Sequence, residues 1–225
     1  MKLKHPSNIV VSGPTGSGKT EFVLRLLEKD MLSPSPNNII WVYGEWQGKY
    51  DRLRAIAEKK GIPIDFVYGY KPWIYDRLDN KKRNVLVLDD VMGEMGESSD
   101  LSRLFTQGCH HRNVTVILIL QNSYHKGKAM RDAMTNAQYR VYFKNNADRL
   151  QERTDAQRAY PTNRNFFLKA MEDACKVKHG YLLRDMRADT PDVLRLRTNI
   201  FNDETVYVPA DTAPDTILEV DKTLV

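Results

Sequence analysis

Gly13-Pro14-Thr15-Gly16-Ser17-Gly18-Lys19-Thr20 fits the pattern G-x-x-x-x-G-K-[ST], and the residues on either side of it decide the fold. Before it runs Asn8-Ile9-Val10-Val11-Ser12, an apolar stretch of strand length that the Gly/Pro cluster ends. Behind it, Phe22, Val23, Leu26 and Leu27 recur at the spacing of an amphipathic helix over Thr20–Lys29. Strand, glycine loop and helix N-terminus in that order make a cradle for anions. The loop's N–H groups turn inward and the helix dipole adds partial positive charge. Residues 13–20 are therefore expected to hold the phosphates of a nucleotide, ATP, with Lys19 reaching the β- and γ-phosphates and the Thr20 hydroxyl a ligand of Mg²⁺.

The alternation continues down the chain. Ile39–Tyr43, Val85–Leu88, Val114–Leu120 and Tyr139–Phe143 read as further strands, with Ile64–Tyr68 as an extra one. Between them lie helical patterns over Tyr50–Lys60, closed by Gly61, over Leu101–Gln107, with Gly108 behind it, and over Met130–Asn136. Strands alternating with helices predict an α/β fold with a mostly parallel central sheet and helices on both faces. In the last third, helices are expected over Asp148–Ala159 and Asn165–Lys176, split by Pro161, then strands over Tyr181–Asp185 and Val193–Arg197. This divides the chain into a domain over 1–205, with its core at 7–146 and C-terminal helices and strands at 147–205, and a poorly ordered acidic tail over 206–225.

Two strand ends carry the remaining chemistry. Val85-Leu86-Val87-Leu88-Asp89-Asp90 sets carboxylates at the carboxyl edge of the sheet, beside the phosphates. Asp89 is expected to hold Mg²⁺ through its waters. Asp90, a second acid, can orient and deprotonate an attacking water, which hydrolysis needs and a small-molecule kinase does not. Val114–Leu120 ends in Gln121-Asn122; an amide there can bond the γ-phosphate or the lytic water, and Gln121 is the first choice.

The 225 residues carry a net charge of +5, unevenly spread. From Phe201 onward six acids stand against Lys222, which leaves +10 on the first 200 residues and suits a polyanionic partner. Hydrophobic residues at 41% and charged residues at 28% exclude a disordered or collagen-like chain. No apolar run is long enough for a membrane span, no signal peptide opens the sequence, and two cysteines build no disulfide framework; the expectation is an intracellular protein without a membrane partner. Six bases fall between Asn122 and Arg149. Lys126 and Lys128, just past Gln121, are the expected contacts to DNA phosphates. At the end of the second strand, Trp46 is a candidate to stack or pack at a subunit contact, and Glu45 to relay between DNA and Asp90. His110-His111 are read as structural or interface residues, since adjacent side chains point apart and no zinc spacing surrounds them.

Taken together, the phosphate loop, the Asp89-Asp90 strand end and the strand ending in Gln121 resemble the HerA–FtsK superfamily of DNA-pumping ATPases. Over residues 7–205 the chain looks similar to the genome-packaging ATPases of Polinton-type elements, adintoviruses and their poxvirus and virophage relatives. The resemblance rests on Leu104-Phe105-Thr106-Gln107-Gly108-Cys109-His110-His111-Arg112-Asn113, Gln121 to Lys128, Gly180-Tyr181-Leu182-Leu183 and Leu194 to Phe201. It implies an ASCE (RecA-like) P-loop NTPase in which the Gln121 strand lies between the phosphate-loop and Asp89 strands. It further implies a homo-oligomeric ring around double-stranded DNA that loads a viral capsid through a capsid or portal vertex protein, inside a host cell or attached to the virion. Ring ATPases complete each site with a neighbour's arginine; Arg112, before the Gln121 strand, is favoured over Arg103, Arg131 and Arg149. A small P-loop phosphotransferase and a slow nucleotide-dependent DNA-binding or assembly switch are the alternatives.

Overall fold

The computed structural model describes residues 1–91, 99–121, 128–147, 149–209 and 217–219, the side chains of residues 110, 151 and 217–219 excepted. In chain order the strands are β1 (Leu3–Lys4), β2 (Asn8–Ser12), β3 (Leu32–Ser33), β4 (Asn38–Tyr43), β5 (Ile64–Tyr68), β6 (Asn84–Asp89), β7 (Val114–Leu120), β8 (Tyr139–Phe143), β9 (Tyr181–Asp185), β10 (Leu196–Thr198), β11 (Thr205–Pro209) and β12 (Ile217–Glu219). The helices are α1 (Lys19–Glu28), α2 (Tyr50–Lys59), α3 (Trp73–Arg77), α4 (residues 99–111), α5 (Lys128–Thr135), α6 (Arg149–Ala159) and α7 (Arg164–Ala174).

One sheet of ten strands carries the fold, in the order β12-β11-β10-β9-β8-β2-β7-β6-β4-β5. The strands from β8 to β5 are parallel, and β9 to β12 extend the sheet antiparallel. β7 lies between β2 and β6, the position the resemblance implied for the strand that leads into Gln121. β1 and β3 pair separately.

Because side chains alternate across a strand, each parallel strand feeds two cores. Ile9, Val11, Trp41, Val85, Val87, Ile117 and Ile119 pack under α1 and α2. Val10, Ile40, Val42, Leu86, Leu88, Val116 and Leu118 pack under α3, α4 and α5. A third cluster, with Tyr142, Phe166, Phe167, Leu182 and Tyr207, seats α6 and α7 on the antiparallel extension. Arg140 and Asp155 fasten α6 to β8 through two hydrogen bonds of 2.9 and 3.1 Å in a buried pair. Arg140, one of the six bases counted between Asn122 and Arg149, is thereby withdrawn from the surface. Among the described residues no helix is long and apolar enough to cross a membrane.

Three expectations need correction. α4 does not end before Gly108 but continues to His111, with Leu104–Gly108 wound as π-helix. Gly108 keeps ordinary helical angles (φ −57°, ψ −46°), so it breaks nothing, and the Asn8 side chain donates to the Phe105 carbonyl within the widened turn at 2.8 Å. The strand expected over Val193–Arg197 starts later: Asp192–Leu194 forms a 3₁₀ turn and Leu196–Thr198 the strand. Finally, the sheet does not stop at residue 205. Thr205-Val206-Tyr207-Val208 alternates in strand fashion, pairs with β10 and buries Tyr207, so residues 206–209 belong to the sheet rather than to a tail.

His5, at the amino edge of β7, accounts for part of the acid sensitivity expected of this fold. It is buried, with Nδ1 2.8 Å from the Thr115 hydroxyl, and burial lowers its pKa to about 4. The native state refuses a proton that the unfolded chain accepts below about 6.5, so stability is lost as pH falls from 6.5 towards 4. At pH 5 this group alone costs about 2 kcal/mol relative to pH 7. Urea unfolding of the wild type and a His5→Gln variant at both pH values should show the variant losing less by about that amount; equal losses would exclude His5 as the source.

Candidate functional site

Since β2, β6 and β7 are adjacent and parallel, their carboxyl ends open on one edge of the sheet, and the residues singled out in sequence meet there. The phosphate loop leaves β2, with the Gly13 N–H held by the Leu120 carbonyl at 3.2 Å. Gly18, the residue before α1, has φ +112°, and a Cβ there would come within 3.2 Å of the His179 side chain. Only glycine satisfies both the angle and the space. Lys19 is buried, and its Nζ donates to the Pro14 carbonyl at 2.8 Å, folded back over its own loop. Burial lowers the Lys19 pKa, against the opposing pull of Asp89 and Asp90.

Asp89 ends β6 and is buried; Asp90 follows it, exposed, in a left-handed conformation with φ 58°. Burial pushes the Asp89 carboxyl above its usual range, while the hydrogen bond from Tyr50 and the nearby Thr20 hydroxyl pull it back. The Tyr50 hydroxyl donates to Asp89 Oδ2 at 2.8 Å; burial, and then the charge of Asp89, raise the phenol's pKa and keep it protonated. Gln121 bridges the site. Its Nε2 donates to Asp90 Oδ1 at 3.1 Å, and its Oε1 accepts from the Thr15 hydroxyl at 3.4 Å. One amide thus ties the end of β7 both to the phosphate loop and to the second acid.

Around these groups lies a cleft of about 690 Å³, within the range that takes a nucleotide. Thr15, Gly16, Gly18, Lys19, Thr20, Asp89, Asp90 and Gln121 line it. Its far wall was not anticipated from the sequence: Val177–Gly180, and Asn199, Phe201 and Asn202, come from the antiparallel extension. His179 turns there with φ 61° and contacts the Ser17 carbonyl through Nδ1 at 3.0 Å. Gln47 and Lys49, from the turn after β4, line the near side.

Other candidates lie elsewhere. Arg112 precedes β7 at the opposite edge of the sheet, its guanidinium 4.8 Å from the Tyr75 ring centroid and 3.8 Å from Asp76. Arg103 lies over the same ring at 4.0 Å. Lys128 opens α5 and is exposed; Lys126 and Asn122 lie outside the described residues. Trp46 is half-exposed and packs within the chain, edge-on to Tyr43, Tyr50 and Phe66 with Arg54 over its ring. Glu45 beside it is exposed. Cys109 is buried and free, and Cys175 is free and half-buried.

No protein-family model and no curated protein sequence matches the chain. Solved structures do. The genome packaging NTPase B204 of Sulfolobus turreted icosahedral virus 2, in complex with AMP, superposes with a TM-score of 0.55 at 13% identity, over 82% of this chain and 94% of that one. The same protein with ATP-gammaS gives 0.55 at 16% identity and the same coverage. B204 described as the DNA-packaging ATPase of Sulfolobus turreted icosahedral virus gives 0.55 at 13%. The chain has the fold of a P-loop NTPase. At such identities the likeness speaks for the fold, and this chain's own residues must carry its chemistry.

Among the described residues no group of three or more His, Cys, Asp and Glu gathers as a metal site. Mg²⁺ at a nucleotide does not need one, because the substrate phosphates and waters supply most of its oxygens and the protein one or two. The Thr20 hydroxyl and the Asp89 carboxylate, both on the wall of the cleft, are a hard-oxygen pair that fits this role.

Proposed function

We propose that the chain is an ATP-hydrolysing motor that moves double-stranded DNA into a viral capsid. The observation that carries hydrolysis is the Gln121 bridge, which aims an exposed carboxylate, Asp90, into a cleft whose floor is a phosphate loop. Loop N–H groups and Lys19 bind the β- and γ-phosphates, with the Lys19 ammonium exchanging the Pro14 carbonyl for phosphate oxygen. Mg²⁺ held by Thr20 and Asp89 would neutralise charge on those phosphates. Asp90 accepts a proton from water as its oxygen attacks the γ-phosphorus, and the bond to the β,γ-bridging oxygen breaks, leaving ADP and phosphate. Gln121 holds Asp90 in line and changes partners when the γ-phosphate leaves.

The motor reading draws on the position of β7 between β2 and β6, which favours the ASCE (RecA-like) branch and the HerA–FtsK superfamily, and on the +10 charge of residues 1–200. It draws also on the packaging role of the B204 proteins and on the resemblance of the 104–113 segment to packaging ATPases of Polinton-type elements. Arg112 lies a full strand away from Gln121, about 20 Å at 3.3 Å per residue, so in a ring it would serve a neighbour's cleft and not its own. A capsid or portal vertex protein would receive the DNA.

The test is ATPase rate with and without duplex DNA, read together with particle mass. A ring whose rate rises with DNA supports the motor; a monomer indifferent to DNA favours the phosphotransferase. Binding should weaken steeply with salt and show little sequence preference, since each neutralised phosphate contributes about −0.9 to the slope of log K against log salt. Replacing both Lys126 and Lys128 by alanine should reduce that slope by up to about two per bound subunit. An unchanged slope would move the DNA contact elsewhere on the chain.

A further inference from the structure

Tyr50 is the first residue of α2 and has no exposed surface, yet its hydroxyl reaches the cleft wall, 2.8 Å from Asp89 Oδ2. Four aromatic rings hold it. Trp41 lies at 5.1 Å between centroids, Tyr43 at 5.9 Å, Trp46 edge-on at 5.3 Å and Phe66 nearly parallel at 5.7 Å. A tyrosine has two side-chain torsions, and rings packed on every side leave neither of them free. The hydroxyl therefore occupies a fixed point in space. The backbone around it is fixed as well. Gly44 N–H donates to the Asp89 carbonyl at 3.0 Å, and a Cβ on Gly44 would meet the Asp90 carbonyl oxygen at 2.5 Å. The turn between β4 and α2 is thus clamped to both acids, with Tyr50 closing the clamp on the Asp89 side chain.

A carboxylate at a strand end can rotate about its last torsion, since that torsion is broad. The hydrogen bond from Tyr50 takes one oxygen from the core side, and the rest of the carboxylate faces Thr20 and the cleft. We infer that Tyr50 is a positioning residue, which fixes the Asp89 carboxylate in the rotation that receives a divalent cation carried in by the substrate's phosphates. The inference rests on the reading of the cleft as a site for ATP with Mg²⁺. Tyr50 touches neither substrate nor cation; it acts through Asp89 alone.

The experiment uses the full chain and the Tyr50→Phe variant, which keeps the ring and its packing and removes only the hydroxyl. Calorimetry measures affinity for a non-hydrolysable ATP analogue twice, once in EDTA and once in saturating Mg²⁺, and the ratio of the two is the metal's contribution. The variant should bind the analogue in EDTA as the wild type does, and its metal contribution should fall about tenfold or more, the scale of a hydrogen bond to a charged group. In an Asp89→Ala background the same change should have no further effect on the ratio, because the partner through which Tyr50 acts is gone. Thermal melts of all four proteins establish that they are folded. A full metal contribution in Tyr50→Phe overturns the inference, whatever happens to its melting temperature. So does an equal loss with and without Mg²⁺, which would make Tyr50 a packing residue of the cleft wall. A wild type whose affinity is the same in EDTA and in Mg²⁺ would instead remove the reading of the cleft on which the inference stands.

Discussion

Asparagine in place of Asp90 leaves the chain able to bind ATP with Mg²⁺ and slows hydrolysis by about 10²–10⁴-fold, the span of a lost general base. The substitution is a clean one here. Residue 90 sits at φ 58°, a conformation that aspartate and asparagine tolerate better than other side chains with a Cβ, so the backbone against Gly44 need not move. An asparagine Oδ1 can still accept the Gln121 amide at 3.1 Å, which preserves the link between β7 and the phosphate loop. What disappears is the carboxylate, its basicity and its charge. Single-turnover hydrolysis and ATP affinity, measured on the same preparation, distinguish the roles: weak binding with an undiminished rate at saturation would make Asp90 a holder of the metal and reopen the assignment of Asp89.

Those parts of the site that were legible in the sequence have a common physical origin. A parallel sheet covered on both faces needs strands that are continuous apolar runs, so a polar residue at the end of such a run marks the sheet edge. Asp89, Asp90 and Gln121 could be read in this way, and β2, β7, β8 and β9 run between the expected residues. The same logic failed where a residue's meaning depends on its surroundings. Gly108 looked like a helix terminus but keeps helical angles inside α4. β11 was hidden by the acidic composition around it, although its own residues alternate as a strand. Tyr50 appeared only as the apolar start of a charged helix, and nothing in its spacing says that its hydroxyl meets a carboxylate on β6. His179, Asn199, Phe201 and Asn202 reach the cleft because the antiparallel extension returns past β8, a long-range arrangement without any local signal.

Alanine at Lys19 should weaken ATP binding by roughly 10²-fold or more, the scale of a lost charge-assisted hydrogen bond to phosphate, and do so without destabilising the fold. The second half of that expectation follows from the site's electrostatics. The Lys19 ammonium is buried with a carbonyl for its partner, and burial disfavours its charge, as the downward direction of its pKa records. A lysine with a folded-state pKa below its unfolded one withholds stability at every pH where the unfolded chain keeps it charged, so removing the group relieves a cost. The lost hydrogen bond to Pro14 leaves a carbonyl at the mouth of an open cleft, where water can replace the ammonium. In the proposed site, Lys19 would be held ready for phosphate at the fold's expense, a trade expected at active sites. Calorimetry with ATP and a thermal melt on the same variant test both halves. Unchanged ATP affinity would remove the phosphate loop from the site, and a melting temperature several degrees below that of the wild type would mean that Lys19 supports the loop's structure rather than awaiting a ligand.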